Sequence, residues 1–332
     1  MEQVRLTACH GERFLCLRML LLSINDQNKD KTSKHISEAP VGNHRLVSFL
    51  KAKEKMKSKV VLITGASSGI GYEAAQRMAR RGCKVYAAAR RVELMEPLRK
   101  EGIVPVRLDV CNQESMRQCV DTVVQAEGRI DVLVNNAGYG YFGAVEMVSD
   151  AEARRQLEVN VFGLASMCRL VIPVMRRQGA GRIVNTSSIA GLTVFPFGGW
   201  YHVSKYSVEA LSDALRMELK PFGIEVSMIE PGGIRTDWGI IAARHLRESS
   251  QGTPYEPVAL AEADLMHKGY SGTFLTDPGV VARAMSRAAL AKRPRARYRL
   301  GRFSTLAIWT HRLLPARWWD WVMLRFVHIR LK

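Results

Sequence analysis

The sequence predicts an α/β fold in which one doubly wound parallel sheet carries helices on both faces and a helical tail follows. Apolar, β-branched runs such as residues 60–63 are typical of strands buried on both faces of a parallel sheet. These runs alternate with amphipathic helical patterns up to about residue 300. The first run leads through a glycine-rich turn into a helix, an order typical of nucleotide-binding sheets.

The alternation places each element in turn. Strands are predicted over residues 59–64, 84–88, 104–108, 130–134, 182–186 and 224–229, with an edge strand over 296–300. Helices are predicted up to residue 81, over 92–101, 113–126, 151–177 and 201–220, and from 277–278, where Asp can cap a helix that Pro begins. Connections between parallel strands of this kind are right-handed.

Length and composition suit one large globular domain, or two small ones, between two basic ends. The chain has 332 residues, 47% hydrophobic and 24% charged. We assign 1–57 to an N-terminal extension, expected to be poorly ordered, 58–300 to the sheet domain and 301–332 to a basic, aromatic, amphipathic tail. Of the net charge of +18, residues 1–59 carry +6, 60–290 carry +2 and 291–332 carry +10. Such ends suit an anionic surface such as a membrane or nucleic acid, and equally suit plain solvated termini.

Cysteine usage and hydropathy predict a cytoplasmic protein. The six cysteines, at 9, 16, 83, 111, 119 and 168, include no C-x-x-C pair, so we expect reduced thiols and neither disulfides nor a metal site. The longest apolar run, residues 14–24, is interrupted by Arg18 and is shorter than the ~18–20 residues that span a bilayer.

The turn after the first predicted strand has the composition of a dinucleotide-binding loop. Its spacing is G-x-x-x-G-x-G. Glycines let the backbone approach a pyrophosphate, and the helix N-terminus offers unpaired N–H groups to it. We therefore assign a Rossmann-like cofactor site to Gly65, Ser67, Ser68, Gly69, Ile70 and Gly71.

The end of the second predicted strand favours NADP(H) over NAD(H). A site selective for NAD places Asp or Glu there, against the ribose hydroxyls. This chain has Ala89, Arg90 and Arg91 instead, and two cations without an acid suit a 2′-phosphate. The alternative is that two exposed arginines simply precede the helix predicted over 92–101.

Tyr201 and Lys205 are four residues apart, so on a helix both side chains lie on one face. A neighbouring ammonium favours phenolate, so we expect Lys205 to lower the pKa of Tyr201 towards neutrality. Ser188 can hydrogen-bond the same substrate oxygen.

Taken together, these motifs resemble the short-chain dehydrogenase/reductase family over residues 58–300. The resemblance rests on Thr64–Gly71, Asn135–Gly138, Asn160, Ser187-Ser188, Tyr201-x-x-x-Lys205 and Pro231-Gly232, in that order. Within the family, residues 191–197 are most similar to the branch of 17β-hydroxysteroid and retinol dehydrogenases.

The resemblance implies a role for each residue of the motifs. Tyr201 would exchange a proton with the substrate oxygen, which Ser188 would hold. Lys205 would bind the nicotinamide ribose, and Asn160 would position a water that links Lys205 to solvent. Homo-oligomerisation through the helices of Asn160 and Tyr201 is implied as well. Further cofactor contacts are implied for Asp109, Val110, Asn136, Ala137, Gly138, Pro231, Gly232 and Thr236.

Several of these residues also have a purely structural interpretation. The asparagines at 135–136 could satisfy backbone groups at a strand end. Asp109 could cap the next helix, Asn160 could lie on a helix surface, and residues 231–233 could be only a turn.

Substrate selectivity is predicted to come from residues 139–145, 193–200 and 236–276. The first two stretches are apolar and aromatic, which suits a small lipophilic substrate, whereas the third has the length and composition of a mobile lid. The candidate substrate contacts are Tyr141, Phe195 and Phe197, together with Ser188 and Tyr201.

Beyond residue 301, four tryptophans alternate with arginines. Two hypotheses explain this tail: a helix that folds back over the substrate pocket, or a basic amphipathic helix in peripheral contact with a membrane. We expect no nucleic-acid partner.

The sequence therefore predicts an NADP(H)-dependent oxidoreductase that interconverts a lipophilic secondary alcohol and ketone, or an alcohol and aldehyde. Two alternatives remain: a 3-oxoacyl thioester reductase with the same residues, and a non-catalytic protein that senses NADP.

Overall fold

Seven parallel strands form the predicted doubly wound sheet. The computed structural model describes residues 58–272 and 274–326, so the predicted N-terminal extension and the end of the tail lie outside the described residues. The strands are β1 (Val60–Thr64), β2 (Lys84–Ala89), β3 (Val104–Arg107), β4 (Val132–Asn135), β5 (Gly181–Thr186), β6 (Ile224–Pro231) and β7 (Arg297–Leu300). Their order is β3-β2-β1-β4-β5-β6-β7, so the strand order reverses between β1 and β4. Sheets of this type bind ligands beyond the carboxyl ends of the strands at such a reversal.

Ten α-helices surround or follow this sheet in the described part of the chain. They are α1 (Gly69–Ala79), α2 (Gln113–Glu127), α3 (Asp150–Leu157), α4 (Leu164–Gln178), α5 (Gly199–Glu218), α6 (Asp237–Ser250), α7 (Glu256–Ser271), α8 (Pro278–Leu290), α9 (Ser304–Leu313) and α10 (Ala316–Phe326). Asp277 caps α8 as predicted, because its side chain accepts a hydrogen bond from the Gly279 N–H.

The core has two halves because each central strand is buried on both faces. Within β1, Val60 and Leu62 pack into one half, and Val61 and Ile63 pack into the other. Residues of α2, α4 and α5 cover the first half, and residues of α1 and α8 cover the second. Alternate side chains of a strand point to opposite faces, so an uninterrupted apolar run fills both halves.

Three predicted elements differ in kind from the observed ones. Residues Val92–Glu101 form a 3₁₀ rather than an α-helix, and Pro97 within the segment cannot donate a backbone hydrogen bond. The helix predicted over 151–177 is divided into α3 and α4 by a π-helical turn, Glu158–Gly163. The stretch predicted as a lid, 236–276, contains the two helices α6 and α7; its mobility stays a prediction.

The run Asp150–Gln178 is the one helix in residues 58–272 and 274–326 that is long and apolar enough to cross a membrane. Half of its most apolar stretch is buried inside the fold, where α4 packs on the sheet. The core helices of globular proteins commonly pass the same test of length and composition, so the run is weak support for a membrane span.

Candidate active site

The glycine-rich turn between β1 and α1 forms a tight cradle at the point where the strand order reverses. Gly65 has φ +67°, and a Cβ there would lie 2.7 Å from the Cα of Ala137. A Cβ on Gly71 would lie 2.5 Å from the carbonyl oxygen of Gly65. Ser68 precedes α1 as its N-cap but makes no hydrogen bond to the helix through its side chain. A turn whose glycines at 65 and 71 leave no room for a Cβ, ahead of such a helix N-terminus, fits a dinucleotide pyrophosphate.

The segment after β4 locks this turn in place. Thr64 Oγ1 accepts hydrogen bonds from the N–H groups of Asn136 and Ala137, both at 3.0 Å. The Asn136 amide donates to the carbonyl oxygens of Thr64 (3.2 Å) and Gly65 (3.1 Å). Asn136 therefore does satisfy backbone groups, and in doing so it fixes the crevice wall on which a cofactor would lie.

Arg90 and Arg91 follow β2 at the same edge of the sheet, and both are exposed. Neither forms an ion pair with a carboxylate of the described residues. Asp109 follows β3, and its carboxylate accepts a hydrogen bond from the Cys111 N–H at 3.0 Å. The cap of α2 is Asn112 instead, so the alternative that Asp109 caps this helix is wrong.

Tyr201 and Lys205 lie in the first turns of α5 and are almost fully buried, with 7% and 6% of their surface exposed. Lys205 Nζ lies 5.8 Å from the centre of the Tyr201 ring. The ammonium donates a hydrogen bond to the carbonyl oxygen of Thr186 at 2.9 Å, at the end of β5. Helical spacing and this bond bring both side chains to the carboxyl edge of the sheet.

Burial dominates the ionisation of both groups. It raises the pKa of Tyr201 above its ordinary value, although the nearby Ser188 hydroxyl opposes the shift. The net shift is therefore upward, opposite to the lowering expected from Lys205, because loss of hydration disfavours the phenolate. Burial lowers the pKa of Lys205 to about 8, while the nearby Glu209 carboxylate acts in the opposite direction.

Ser188 follows β5 in extended conformation and faces the end of β6. Its hydroxyl donates to the carbonyl oxygen of Pro231 at 3.2 Å and accepts from the Ala190 N–H at 3.1 Å. The Gly232 N–H donates to the carbonyl oxygen of Leu300 at 2.7 Å, which anchors the turn on β7. Thr236 begins α6 as its N-cap.

Asn160 lies in the π-helical turn and is buried, so the alternative of a surface position is wrong. Its amide donates to the Tyr139 carbonyl oxygen (2.9 Å) and to Ser204 Oγ (3.0 Å), and its oxygen accepts from the Tyr139 N–H (3.0 Å). A Cβ on Gly138 would lie 3.1 Å from Asn160 Oδ1 and 3.8 Å from Lys205 Nζ. Asn160 and Lys205 therefore flank the same backbone position, which has room because residue 138 is glycine. Single π-helical turns are common at functional sites.

A partly buried ionic cluster, which no local sequence pattern indicates, lies one helical turn beyond Lys205 on α5. Arg297 of β7 contacts the carboxylates of Glu209, Asp213 (2.6 Å) and Glu230 (2.7 Å). Glu230 has no exposed surface and also pairs with Arg299 at 3.0 Å. Glu209 follows Lys205 by one helical turn, so the cluster reaches the site through α5. Its Glu209–Arg297 pair joins residues 88 apart in sequence, a distance at which no local pattern signals contact.

Each of the three segments predicted to give substrate selectivity contributes an aromatic ring to the cluster around Tyr201, and their role in selectivity stays a prediction. Phe142, Phe195 and Trp238 come from residues 139–145, 193–200 and 236–276 respectively. The Tyr201 ring lies 5.7 Å from Phe142 and 5.0 Å from Trp238, and Phe142 lies 6.0 Å from Phe195. Trp238 is not among the candidate substrate contacts predicted from the sequence. Its position two residues after Thr236, an expected cofactor contact, is the feature that could have identified it.

Phe142, Phe195 and Trp238 form what we call the aromatic wall. The other two candidate substrate contacts, Tyr141 and Phe197, lie at its edges. Tyr141 stacks on His245 at 4.7 Å. Phe197 packs against the aromatic cluster around Tyr201. Its backbone has φ +62°, a conformation rare for a bulky residue, and its carbonyl oxygen accepts a hydrogen bond from the Gly143 N–H at 2.9 Å. Such backbone strain is characteristic of functional segments.

His202, next to Tyr201, anchors residues 193–200, the segment that carries Phe195. Its Nε2 accepts from the Phe195 N–H at 3.1 Å, so Nδ1 carries the proton and donates to the carbonyl oxygen of Ala190 at 2.8 Å. Among the residues that the structure describes, no group of three or more His, Cys, Asp or Glu side chains could hold a metal ion.

Similarity to known proteins agrees with this architecture. Residues 59–244 match the model of the short chain dehydrogenase family. A 3-ketodihydrosphingosine reductase from Bacteroides thetaiotaomicron is 38% identical over 217 residues, which are 64% of this chain and 77% of that protein. Estradiol 17-beta-dehydrogenase 1 from Rattus norvegicus is 36% identical over 283 residues, 78% of this chain and 76% of that protein.

Solved structures with the same fold include complexes with nicotinamide dinucleotides. A short chain dehydrogenase/reductase from Burkholderia phymatum in complex with NAD has 30% identity and a TM-score of 0.66, covering 77% of this chain and 92% of its own. An alcohol dehydrogenase from Thermococcus sibiricus complexed with 5-hydroxy-NADP has 27% identity and a TM-score of 0.59, covering 74% and 97%. The fold, the glycine cradle and the family match together lead to one conclusion: the chain belongs to the short-chain dehydrogenase/reductase family of nucleotide-binding oxidoreductases that act on CH–OH groups.

Proposed function

We propose that the protein is an NADP(H)-dependent oxidoreductase that interconverts a lipophilic secondary alcohol and its ketone, or an alcohol and aldehyde. The observation that carries the proposal is the position of Tyr201 between two environments. The Ser188 hydroxyl and the Lys205 ammonium lie on its polar side, and Phe142 and Trp238 line its apolar side.

A bound nicotinamide would supply or accept the hydride, and the chain would hold and move the proton. Tyr201 donates its phenolic proton to the carbonyl oxygen during reduction and accepts a proton from the alcohol during oxidation. Ser188 keeps that oxygen in hydrogen-bonding range by turning its hydroxyl from Pro231 towards the substrate. Lys205 is a cation below a pH of about 8, and it stabilises the phenolate that remains after reduction. Asn160, which like Lys205 lies near the Cβ position of Gly138, would orient a water for re-protonation.

An apolar substrate is supported by the aromatic wall and by two relatives. Rings of Phe142, Phe195 and Trp238 surround the phenol, and such walls bind carbon skeletons rather than polar chains. The names of the relatives, a 3-ketodihydrosphingosine reductase and an estradiol 17-beta-dehydrogenase, describe oxygenated carbons on large apolar bodies. A ketone of sterol or long-chain type is therefore the substrate class we favour.

Preference for NADP(H) is supported by the residues after β2. Arg90 and Arg91 are exposed at the crevice edge, immediately after Ala89, where an NAD-selective site carries a carboxylate. Two guanidinium groups can bind a phosphate through charge-assisted, bidentate hydrogen bonds.

The test is oxidation of NADPH and NADH by the purified full-length protein with steroid, retinoid, long-chain 3-keto and 3-oxoacyl thioester carbonyls. We expect turnover of at least one bulky apolar ketone or aldehyde, with NADPH preferred. Turnover confined to 3-oxoacyl thioesters would replace the proposed substrate class. Tight NADPH binding without turnover of any of these carbonyls would favour the non-catalytic sensor.

A further inference from the structure

The C-terminal helices α9 and α10 expose an unusual amount of apolar surface. Six large apolar side chains in this segment are at least half exposed; we call them the tail face. The tail face consists of Phe303 (66% exposed), Leu306 (63%), Trp309 (50%), Leu313 (75%), Trp318 (63%) and Trp321 (53%). Isolated exposed apolar residues are common, whereas six within residues 303–321 are typical of an interaction surface.

The tail face is an ordered surface, because the opposite sides of both helices are docked on the fold. Ile308 of α9 and Trp319 of α10 are buried, so one side of each helix faces the fold while the tail face is exposed. Trp319 Nε1 donates to the carbonyl oxygen of Val194 at 2.8 Å, and its ring packs edge-on against His311 at 4.9 Å. On α9, Leu306, Trp309 and Leu313 follow the three-and-four spacing of one helical stripe.

Positive charge surrounds the tail face. Arg302, Arg312, Arg317 and Arg325 are all exposed, and none forms an ion pair with a carboxylate of the described residues. Residues 291–332 contain eleven Lys or Arg and a single acid, Asp320. The partner of this surface must therefore be apolar and anionic together.

We propose that the tail face binds the surface of an anionic phospholipid bilayer. Tryptophan and leucine partition into the boundary between headgroups and acyl chains, and arginines at the same level pair with lipid phosphates. A second copy of the chain fits less well, because a two-fold contact would bring one uncompensated arginine set against the other. The proposal stands on the tail alone and does not depend on the proposed reaction.

The docked side of the tail connects this surface to the active site. Val194, which accepts the Trp319 hydrogen bond, precedes Phe195 of the aromatic wall. A bilayer held by the tail face would therefore be separated by the tail helices from the segment of Val194 and Phe195. The predicted contact between tail and pocket thus involves the inner side of the tail, and the outer side is left for lipid.

Vesicle flotation of the full-length protein tests this proposal. Vesicles of phosphatidylcholine with phosphatidylglycerol are compared with vesicles of phosphatidylcholine alone. We expect co-flotation with the anionic vesicles only, and release at high salt. The double variant Trp318→Ser/Trp321→Ser should bind anionic vesicles at least about tenfold more weakly. Its matched control is Met217→Ser/Phe222→Ser, which removes exposed apolar side chains from the last turn of α5 and from the turn after it and should bind normally.

Two charge-reversal variants, one on the tail and one control, test the role of the arginines. Arg317→Glu should also weaken flotation, and Arg117→Glu, an exposed position on α2, should leave it unchanged. Wild-type protein that stays in the aqueous fraction with anionic vesicles would overturn the proposal. So would equal flotation of the double tryptophan variant and wild type. A dimer that the tryptophan variant dissociates, without any flotation of wild type, would assign the tail face to self-association instead.

Discussion

The Lys205 ammonium donates a hydrogen bond to the Thr186 carbonyl oxygen at 2.9 Å. This bond joins α5, which carries Tyr201, to the end of β5, which leads into Ser188. The three residues attributed to proton transfer are therefore held on two elements that a single buried cation connects. The same cation is energetically costly, since burial lowers the pKa of Lys205 from 10.5 to about 8.

That cost predicts a pH-dependent stability effect. Below a pH of about 8 the folded protein must bury a charged Lys205, and between 8 and 10.5 it releases this proton while the unfolded chain retains it. The free energy of unfolding contributed by this group therefore rises with pH across that window. We expect Lys205→Met to stabilise the protein at pH 7 by about 2 kcal/mol, after subtracting the lost hydrogen bond to Thr186.

Urea unfolding of wild type and Lys205→Met at pH 7 and at pH 10.5 measures this effect. The advantage of the variant should disappear at the higher pH, while its oxidoreductase activity is lost at both. Lys205→Arg, which keeps a cation that does not titrate, is the matched control. A Met variant less stable than wild type at pH 7 would contradict a charged, buried Lys205.

The cofactor preference rests on the two arginines after β2. We expect Arg90→Ala/Arg91→Ala to weaken NADPH binding roughly 10- to 100-fold, because two charge-assisted contacts to the 2′-phosphate are lost. NADH binding should change less than about threefold. Isothermal titration with both cofactors measures the difference, and Arg117→Ala, an exposed arginine on α2, serves as the control. Equal losses for NADPH and NADH would show that these arginines do not read the 2′-phosphate.

Trp238 tests the proposed apolar pocket. Its ring centre lies 5.0 Å from that of Tyr201, and it packs edge-on to Phe142 at 5.7 Å. Trp238→Leu should raise KM for a bulky apolar ketone about tenfold, because most of the aromatic contact area is lost. KM for a small ketone should change little. Steady-state kinetics with both substrates, and with Trp309→Leu on the tail as control, decide the point; a uniform effect on both ketones would remove Trp238 from the pocket.

An oligomer interface is expected on the helices that carry Asn160 and Tyr201. Large apolar side chains are exposed on both: Phe162 in the π-helical turn (56%), and Val203 (46%) and Tyr206 (39%) on α5. We expect wild type to elute as a homo-oligomer and Phe162→Glu to shift towards monomer, measured by size exclusion with light scattering. Phe274→Glu, an exposed phenylalanine outside these helices, is the control. Monomeric wild-type protein at micromolar concentration would contradict this expectation.

Much of the fold follows from local sequence patterns. The run of Val60–Thr64, the glycines after it and the four-residue spacing of Tyr201 and Lys205 are short-range features, and each predicted its element or face correctly. The type of helix was harder to predict than its position. Pro97 was included in a predicted α-helix, and the π-helical turn around Asn160 has no composition that distinguishes it from a helix.

The parts that could not be predicted depend on contacts across the chain. Glu209 meets Arg297 over 88 residues, and no pattern in either segment anticipates that ion pair. Burial of Tyr201 under Phe142 and Trp238 likewise exists only after folding. Because this burial raises the pKa of Tyr201, the direction of the shift differs from the one expected from the Lys205 charge alone.

The most direct test of the account is the rate of carbonyl reduction by Tyr201→Phe, measured beside its affinity for NADPH. The substitution removes one hydroxyl from a buried ring and leaves the glycine cradle untouched. We expect kcat to fall by at least about a thousandfold while the Kd of NADPH changes less than about threefold, since general acid catalysis and the ring's packing are separate contributions. A variant that reduces the same ketone at near wild-type rate would show that Tyr201 is not the proton donor and would contradict the proposed mechanism.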